Sequence, residues 1–152
     1  MNEIRVKRML LAGLAMFFMW IVAEILLEHV LSQFLLGRTT SEMWGRVVDM
    51  SNWSGANVVV NTLTALLNCT ILIWLYASLR PMYGVGTKTA LITSGFFIAW
   101  TLSMFINFTN LGLIPRELAV TEVLFEALEF PIAMIVGAGV YEGREEHNQS
   151  GP

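Results

Sequence analysis

Five glutamates and one histidine interrupt two of the four strongly apolar stretches of this chain, and no Lys or Arg lies in any of the four. A carboxylate in the hydrocarbon of a bilayer is costly unless it is protonated, paired or bound to a cation, so acids in such stretches indicate a functional site. We therefore expect a pocket that binds a proton, a cation or a polar ligand. The interrupting residues are Glu24, Glu28, His29, Glu122, Glu126 and Glu129.

These residue types are compatible with more than one chemistry. A single divalent metal ion could be held by imidazole and carboxylate ligands from His29, Glu24, Glu126 and Glu129. A di-iron centre in a four-helix bundle uses Glu-x-x-His motifs, which the chain lacks, and haem is disfavoured because the apolar stretches contain one histidine. Protonated glutamates could also join helices by hydrogen bonds to Asn and Thr. The sequence leaves these alternatives open.

The composition is that of an integral membrane protein. Hydrophobic residues make up 55% of the chain and charged residues only 14%, against roughly 25% charged in soluble proteins. The net charge is −3 without a basic run, so we expect no nucleic-acid partner. The single cysteine, Cys69, excludes an intrachain disulfide. The first apolar stretch has no small-residue cleavage pattern, which predicts a retained span.

Hydropathy predicts four transmembrane helices, each with the roughly 20 residues that a span requires. The expected fold is an all-α integral membrane protein, an up-down four-helix bundle forming one transmembrane domain over residues 1–141. We expect Pro81, with Gly84 and Gly86, to end the second helix in a short turn, and Pro115 to lie in the first turn of the fourth. The spans cover residues 9–36, 57–79, 89–114 and 118–141.

The first connection, residues 37–56, is long enough for an element of its own. Thr39 and Glu42 have the spacing of a capping box, and Met43, Trp44 and Val47 follow at helical spacing. This pattern predicts a short amphipathic helix on the membrane surface. A helix that docks a partner is the alternative.

Basic residues are distributed unevenly between the two sides of the predicted bundle, which by the positive-inside rule places both termini in the cytoplasm. We expect a bacterial inner-membrane protein with a cytoplasmic tail over residues 142–152. The termini side holds Arg5, Lys7, Arg8, Arg80, Lys88 and Arg144, and the other side holds Arg38, Arg46 and Arg116.

Helical spacing predicts that the acids of the first and fourth helices meet in the outer half of the bundle. Glu24 and Glu28 share one face of their helix, as do the three glutamates of the fourth, and the two sets have similar depth. His29 should flank the acidic face. On the fourth helix, Ala133 and Gly137 should permit a close helix contact.

The second and third helices carry polar or small residues at four-residue spacing, which is typical of contact faces between membrane helices. We expect their asparagines, Asn61, Asn68 and Asn107, to point into the same pocket. The two stripes consist of Asn61, Thr64 and Asn68, and of Gly95, Ala99, Ser103 and Asn107.

Two segments resemble small uncharacterised bacterial membrane proteins with four spans. They are residues 24–31, with His29 after an acid and before a short aliphatic run, and residues 128–141, with Glu129, Gly137 and a closing Tyr141. The resemblance implies the four-span fold and singles out His29 and Glu129. It implies no activity.

These observations favour a noncatalytic membrane protein that acts as a homo-oligomer or as a small accessory subunit of a membrane complex. Its partners would be the lipid bilayer and other membrane subunits or further copies of itself. One alternative is a metal-dependent membrane oxidoreductase or other enzyme that uses His29 and the glutamates. A second alternative is a proton or cation transporter.

Overall fold

Four long helices and one short helix make up the computed structural model, which describes residues 3–32, 34, 37, 39–48 and 54–143. A π-helical segment, Leu27–Ser32, continues α1. Each long helix contains a window long and apolar enough to cross a membrane. The prediction of an all-α four-helix membrane bundle with a short helix in the first connection is therefore confirmed. The helices are α1 Glu3–Leu26, α2 Thr40–Trp44, α3 Gly55–Tyr83, α4 Thr87–Asn110 and α5 Arg116–Glu142.

The predicted turn after the second span forms at Gly84 and Gly86, whereas Pro81 lies inside α3. α3 continues through Pro81 to Tyr83 and ends before Gly84, whose φ of 86° lies in the region that favours glycine. α4 ends at Asn110, earlier than predicted, and Gly112 with φ 72° turns the chain toward α5. Pro115 precedes α5 as its N-cap residue.

The bundle is closest packed where α1, α3 and α5 meet. Gly137 of α5 is buried, and a Cβ atom added to it would lie 2.9 Å from Met16 Cβ and 2.8 Å from Ile73 Cδ1. Ala133 is fully buried on the same face, so the predicted close contact of α5 is confirmed. A second close approach, of Gly13 to Thr70 on α3, was not predicted from the sequence.

The face that α4 turns toward the bundle is not the predicted one. Gly95, Ala99, Ser103 and Asn107 are exposed, and an added Cβ at Gly95 would meet nothing within 4 Å. The buried face carries hydroxyl residues, which donate to their own helix: Thr93 to Thr89 O at 2.8 Å and Thr101 to Phe97 O at 2.9 Å. A hydroxyl satisfied in this way can be buried without a partner on the next helix.

The expected inward orientation is also wrong for two of the three asparagines. Asn61 and Asn107 are exposed, as is Thr64, while Asn68 is half-buried. An Asn side chain brings two donors and an acceptor, more than its own helix backbone can satisfy. Asn107 accordingly donates one hydrogen bond to Ser103 O at 2.9 Å from its exposed position.

The short helix α2 begins as the sequence predicts. Thr39 Oγ1 accepts a hydrogen bond from Glu42 N at 3.2 Å, and Glu42 Oε2 accepts one from Thr39 N at 3.3 Å, which completes the capping box. Met43 is buried. Trp44 and Val47 pack against the ends of α4 and α5 that lie next to the α4–α5 turn. α2 therefore lies on the bundle rather than projecting from it.

Candidate functional site: a cluster of intramembrane carboxyl groups

The packing of α1 against α5 brings the acids of the two helices together. Among the described elements these two share the most extensive contact, and Trp20 Nε1 donates to Glu129 Oε1 at 2.9 Å. Since the helices are antiparallel, each step outward along α1 matches a step toward the start of α5. Glu24, one turn beyond Trp20, therefore lies at the level of Glu126 and within electrostatic range of both Glu126 and Glu129.

Glu129 is the most deeply buried member of the cluster, with an exposed fraction of 4%. Its Oε1 accepts the Trp20 hydrogen bond, whereas its Oε2 is buried and has no hydrogen-bond partner among the described residues. The Trp20 ring packs on Phe130, with ring centroids 5.8 Å apart, and Phe130 stacks on Phe97 of α4 at 4.0 Å. The Glu129 carboxyl group thus lies at the indole of Trp20, the first of three aromatic rings packed in a row.

Glu126 lies one turn nearer the start of α5 than Glu129 and is half-buried. Its Oε2 is also buried without a hydrogen-bond partner in the described part of the chain, and the Thr101 side chain of α4 lies beside the carboxyl. Glu126 and Glu129 are three residues apart and share a helix face. Two neighbouring carboxyl groups therefore each have one unsatisfied oxygen in the same region.

Two glutamates, Glu28 and Glu122, hold α2 on the bundle through hydrogen bonds. Trp44 Nε1 donates to Glu122 Oε1 at 2.5 Å. Ser41 donates to Glu28 Oε1 from its backbone N at 3.0 Å and also from its hydroxyl. Glu122 remains within electrostatic range of Glu24 and Glu126, so α2 covers the outer end of the carboxyl cluster. Hereafter the carboxyl cluster denotes Glu24, Glu122, Glu126 and Glu129.

The predicted metal site of Glu24, His29, Glu126 and Glu129 stays a prediction. Among the described residues no three or more His, Cys, Asp or Glu side chains are placed to hold a metal ion. Glu129 accepts a hydrogen bond from Trp20, whereas Glu24 is exposed, and the two carboxyl groups lie within electrostatic range of each other. The His29 side chain lies outside the described part of the structure. It belongs to the π-helical segment, where the 3.6-residue period used to place it does not apply.

The structure brings together the four glutamates of the carboxyl cluster, whereas two of the three predicted asparagines lie elsewhere. Asn61 and Asn107 lie on exposed faces of α3 and α4. The sequence analysis missed Thr101 beside Glu126 and the hydrogen bond from Trp20 to Glu129. One signal was available, because Trp20 precedes Glu24 by four residues and so shares its helix face.

A second polar group, at the opposite end of the bundle, was not predicted. Glu142 is the last residue of α5, not the first of a solvated tail: Tyr76 donates to its carboxyl, Gly86 N donates to its Oε1 at 3.2 Å, and Arg80 Nε lies 4.0 Å from it. These contacts tie α3 and the α3–α4 turn to the end of α5. Residues 144–152 lie outside the described residues.

No protein-family model, curated protein or solved structure matches this chain.

Proposed function

We propose that this integral membrane protein is a noncatalytic proton-binding protein whose site is the carboxyl cluster. The observation that carries the proposal is Glu129, which is 4% exposed, is hydrogen-bonded to Trp20 and has its second oxygen buried without a partner among the described residues. A neutral carboxyl avoids most of the desolvation cost that an ion meets in an apolar medium, and it has a hydrogen to donate.

A proton shared between Glu126 and Glu129 would suit both groups. Each has one buried oxygen without a hydrogen-bond partner in the described structure. Two carboxyl groups held close together cannot both ionise cheaply, and a shared proton leaves them with one negative charge. Because no Lys or Arg occurs in the apolar stretches of α1 and α5, these stretches supply no compensating positive charge, and a bound proton or small cation would provide it.

Proton binding is favoured over proton transport because apolar side chains fill much of the bundle on the termini side of the carboxyl cluster. Toward the termini side, the contact between α1, α3 and α5 is filled by buried apolar side chains, among them Met16, Ile73 and Met134. At this contact, the described residues therefore offer the carboxyl groups mainly apolar side chains toward the other side of the membrane.

The exposed polar faces of α3 and α4 support a role within a homo-oligomer or as a small subunit of a larger membrane complex. Asn61, Ser103 and Asn107 are exposed on helices that cross the membrane. Such side chains are better satisfied against another helix than against lipid. The mass of the native complex in mild detergent tests this part of the proposal, which a strictly monomeric protein would contradict.

A carbodiimide that dissolves in the bilayer tests for bound protons, because it reacts with protonated carboxyl groups and leaves a stable adduct. We expect mass spectrometry of the purified protein at neutral pH to find the adduct on Glu126 or Glu129, several-fold above that on the exposed Glu117. Glu129→Gln should reduce labelling of the cluster, whereas the control Glu117→Gln should leave it unchanged.

Labelling confined to Glu117 would contradict the proposal. Protection of the cluster by millimolar Na⁺ or Ca²⁺ at constant pH would show that a metal cation, rather than a proton, is the ligand.

We also propose that the protein lies in a bacterial inner membrane with both termini in the cytoplasm, because the termini side carries more Lys and Arg. An impermeant maleimide should then label Ser54→Cys in intact cells and Ser150→Cys only after permeabilisation. The unaltered protein is the control, since its single thiol, Cys69, is buried. The opposite labelling pattern would reverse the orientation.

A further inference from the structure

A groove of about 370 Å³ lies between α4 and α5, away from the carboxyl cluster, and its polarity changes along its length. Leu102 and Leu124 line its deep end, and Ile106 and Val120 line its middle. Thr109, Asn110 and Arg116 line the end next to the α4–α5 turn. The groove is therefore apolar toward the membrane interior and polar, with one positive charge, toward the membrane surface.

The dimensions of the groove match one leaflet. Its lining runs over nine residues of each helix, from Leu102 to Asn110 and from Arg116 to Leu124, which corresponds to roughly 12 Å at the rise of an α-helix. Half of the hydrocarbon core of a bilayer is about 15 Å thick. An acyl chain lying in the groove would therefore have its headgroup at the level of Arg116.

The polar end of the groove contains a hydroxyl group that has no hydrogen-bond partner among the described residues. This group is Thr109 Oγ1, which is buried. Other threonines of the long helices, such as Thr70, Thr93 and Thr121, donate to the carbonyl four residues earlier. The acidic neighbour of Arg116, Glu117, is not among the residues that line the groove.

We infer that this groove is a binding site for an anionic phospholipid, with one acyl chain between α4 and α5 and the headgroup phosphate at Arg116. The guanidinium group matches a phosphate in charge and hydrogen-bonding geometry, and Thr109 and Asn110 supply further polar contacts. The lipid would cover apolar side chains of the lining that a single chain leaves exposed, including Leu102 at 43%, Ile106 at 51% and Val120 at 59%.

Native mass spectrometry of the full-length protein tests this site, after delipidation and titration with phosphatidylglycerol or phosphatidylcholine. We expect one phosphatidylglycerol to bind about tenfold more tightly than phosphatidylcholine, which is the usual worth of a hydrogen-bonded charge. Arg116→Gln should abolish this preference. Arg46→Gln should preserve it, because Arg46 is exposed on the same side of the membrane and does not line the groove.

Val120→Trp places a large ring in the groove and should reduce retention of both lipids. Equal affinity for the two lipids, or a preference that survives Arg116→Gln, would overturn the inference. Loss of the preference to the same extent in Arg46→Gln would also overturn it, since a general charge effect would then explain binding. A dimer that excludes lipid and is lost in Val120→Trp would assign the groove to a second copy instead.

Discussion

Gly13→Ala and Gly137→Ala are each expected to lower the free energy of unfolding by about 2 kcal/mol, the usual cost of adding a methyl group to a well-packed core. At Gly13 the new Cβ would lie 3.0 Å from Thr70 Cα, so that α1 and α3 would have to move apart. At Gly137 it would lie 3.2 Å from Ala12 O and 2.9 Å from Met16 Cβ. Backbone and Cβ atoms cannot move aside by changing a rotamer.

Gly139→Ala is the matched control, two residues from Gly137 on the same helix. Gly139 is exposed, and an added Cβ would meet nothing within 4 Å. This substitution should be neutral or stabilise α5 by up to about 1 kcal/mol through helix propensity. Unfolding by sodium dodecyl sulfate in mixed micelles measures all three variants. If Gly13→Ala and Gly137→Ala prove as stable as Gly139→Ala, the helices do not approach as closely as described.

Trp20→Phe is expected to destabilise the protein by about 2 kcal/mol, because the buried Glu129 carboxyl would lose its hydrogen-bond donor while the aromatic packing is largely kept. Trp20 Nε1 is the donor to Glu129 Oε1, and the other oxygen has no hydrogen-bond partner among the described residues. Trp100→Phe is the control, since Trp100 is 57% exposed on α4. It should change the stability little in the same unfolding assay.

A double-mutant cycle separates the hydrogen bond from the loss of the indole ring. Replacing both partners of a buried hydrogen bond by apolar groups can be nearly neutral, so Trp20→Phe combined with Glu129→Leu should be more stable than Trp20→Phe alone. Glu129→Gln should stay close to the original stability, since its amide retains an acceptor oxygen for Trp20. Strictly additive effects of the two single changes would show that the residues do not interact.

Trp20→Phe also links the stability prediction to the proposed proton binding by the carboxyl cluster. If Trp20→Phe destabilises the protein while carbodiimide labelling of Glu129 persists, the indole positions the carboxyl and the proton is held independently of it. If labelling is lost in the correctly folded variant, the hydrogen bond from Trp20 is required to keep the proton on the cluster.

Several features of this protein follow from local sequence alone. The number of long helices follows from hydropathy, and the start of α2 follows from Thr39 and Glu42, whose reciprocal hydrogen bonds involve only residues three apart. The alignment of Glu24 with Glu126 also follows from helix length, because depth in a membrane is set by residue number and helical rise. These features depend on spacing along one chain segment.

Only the tertiary structure decided which face of each helix is buried. Both faces of α4 carry small or hydroxyl residues among apolar ones, so periodicity separates the faces without showing which one packs. Thr93 and Thr101 can face the bundle since their hydroxyls donate to their own helix, whereas Asn107 is exposed. The hydrogen bond between Trp20 and Glu129 likewise depends on side-chain packing between helices, which spacing along one helix does not determine.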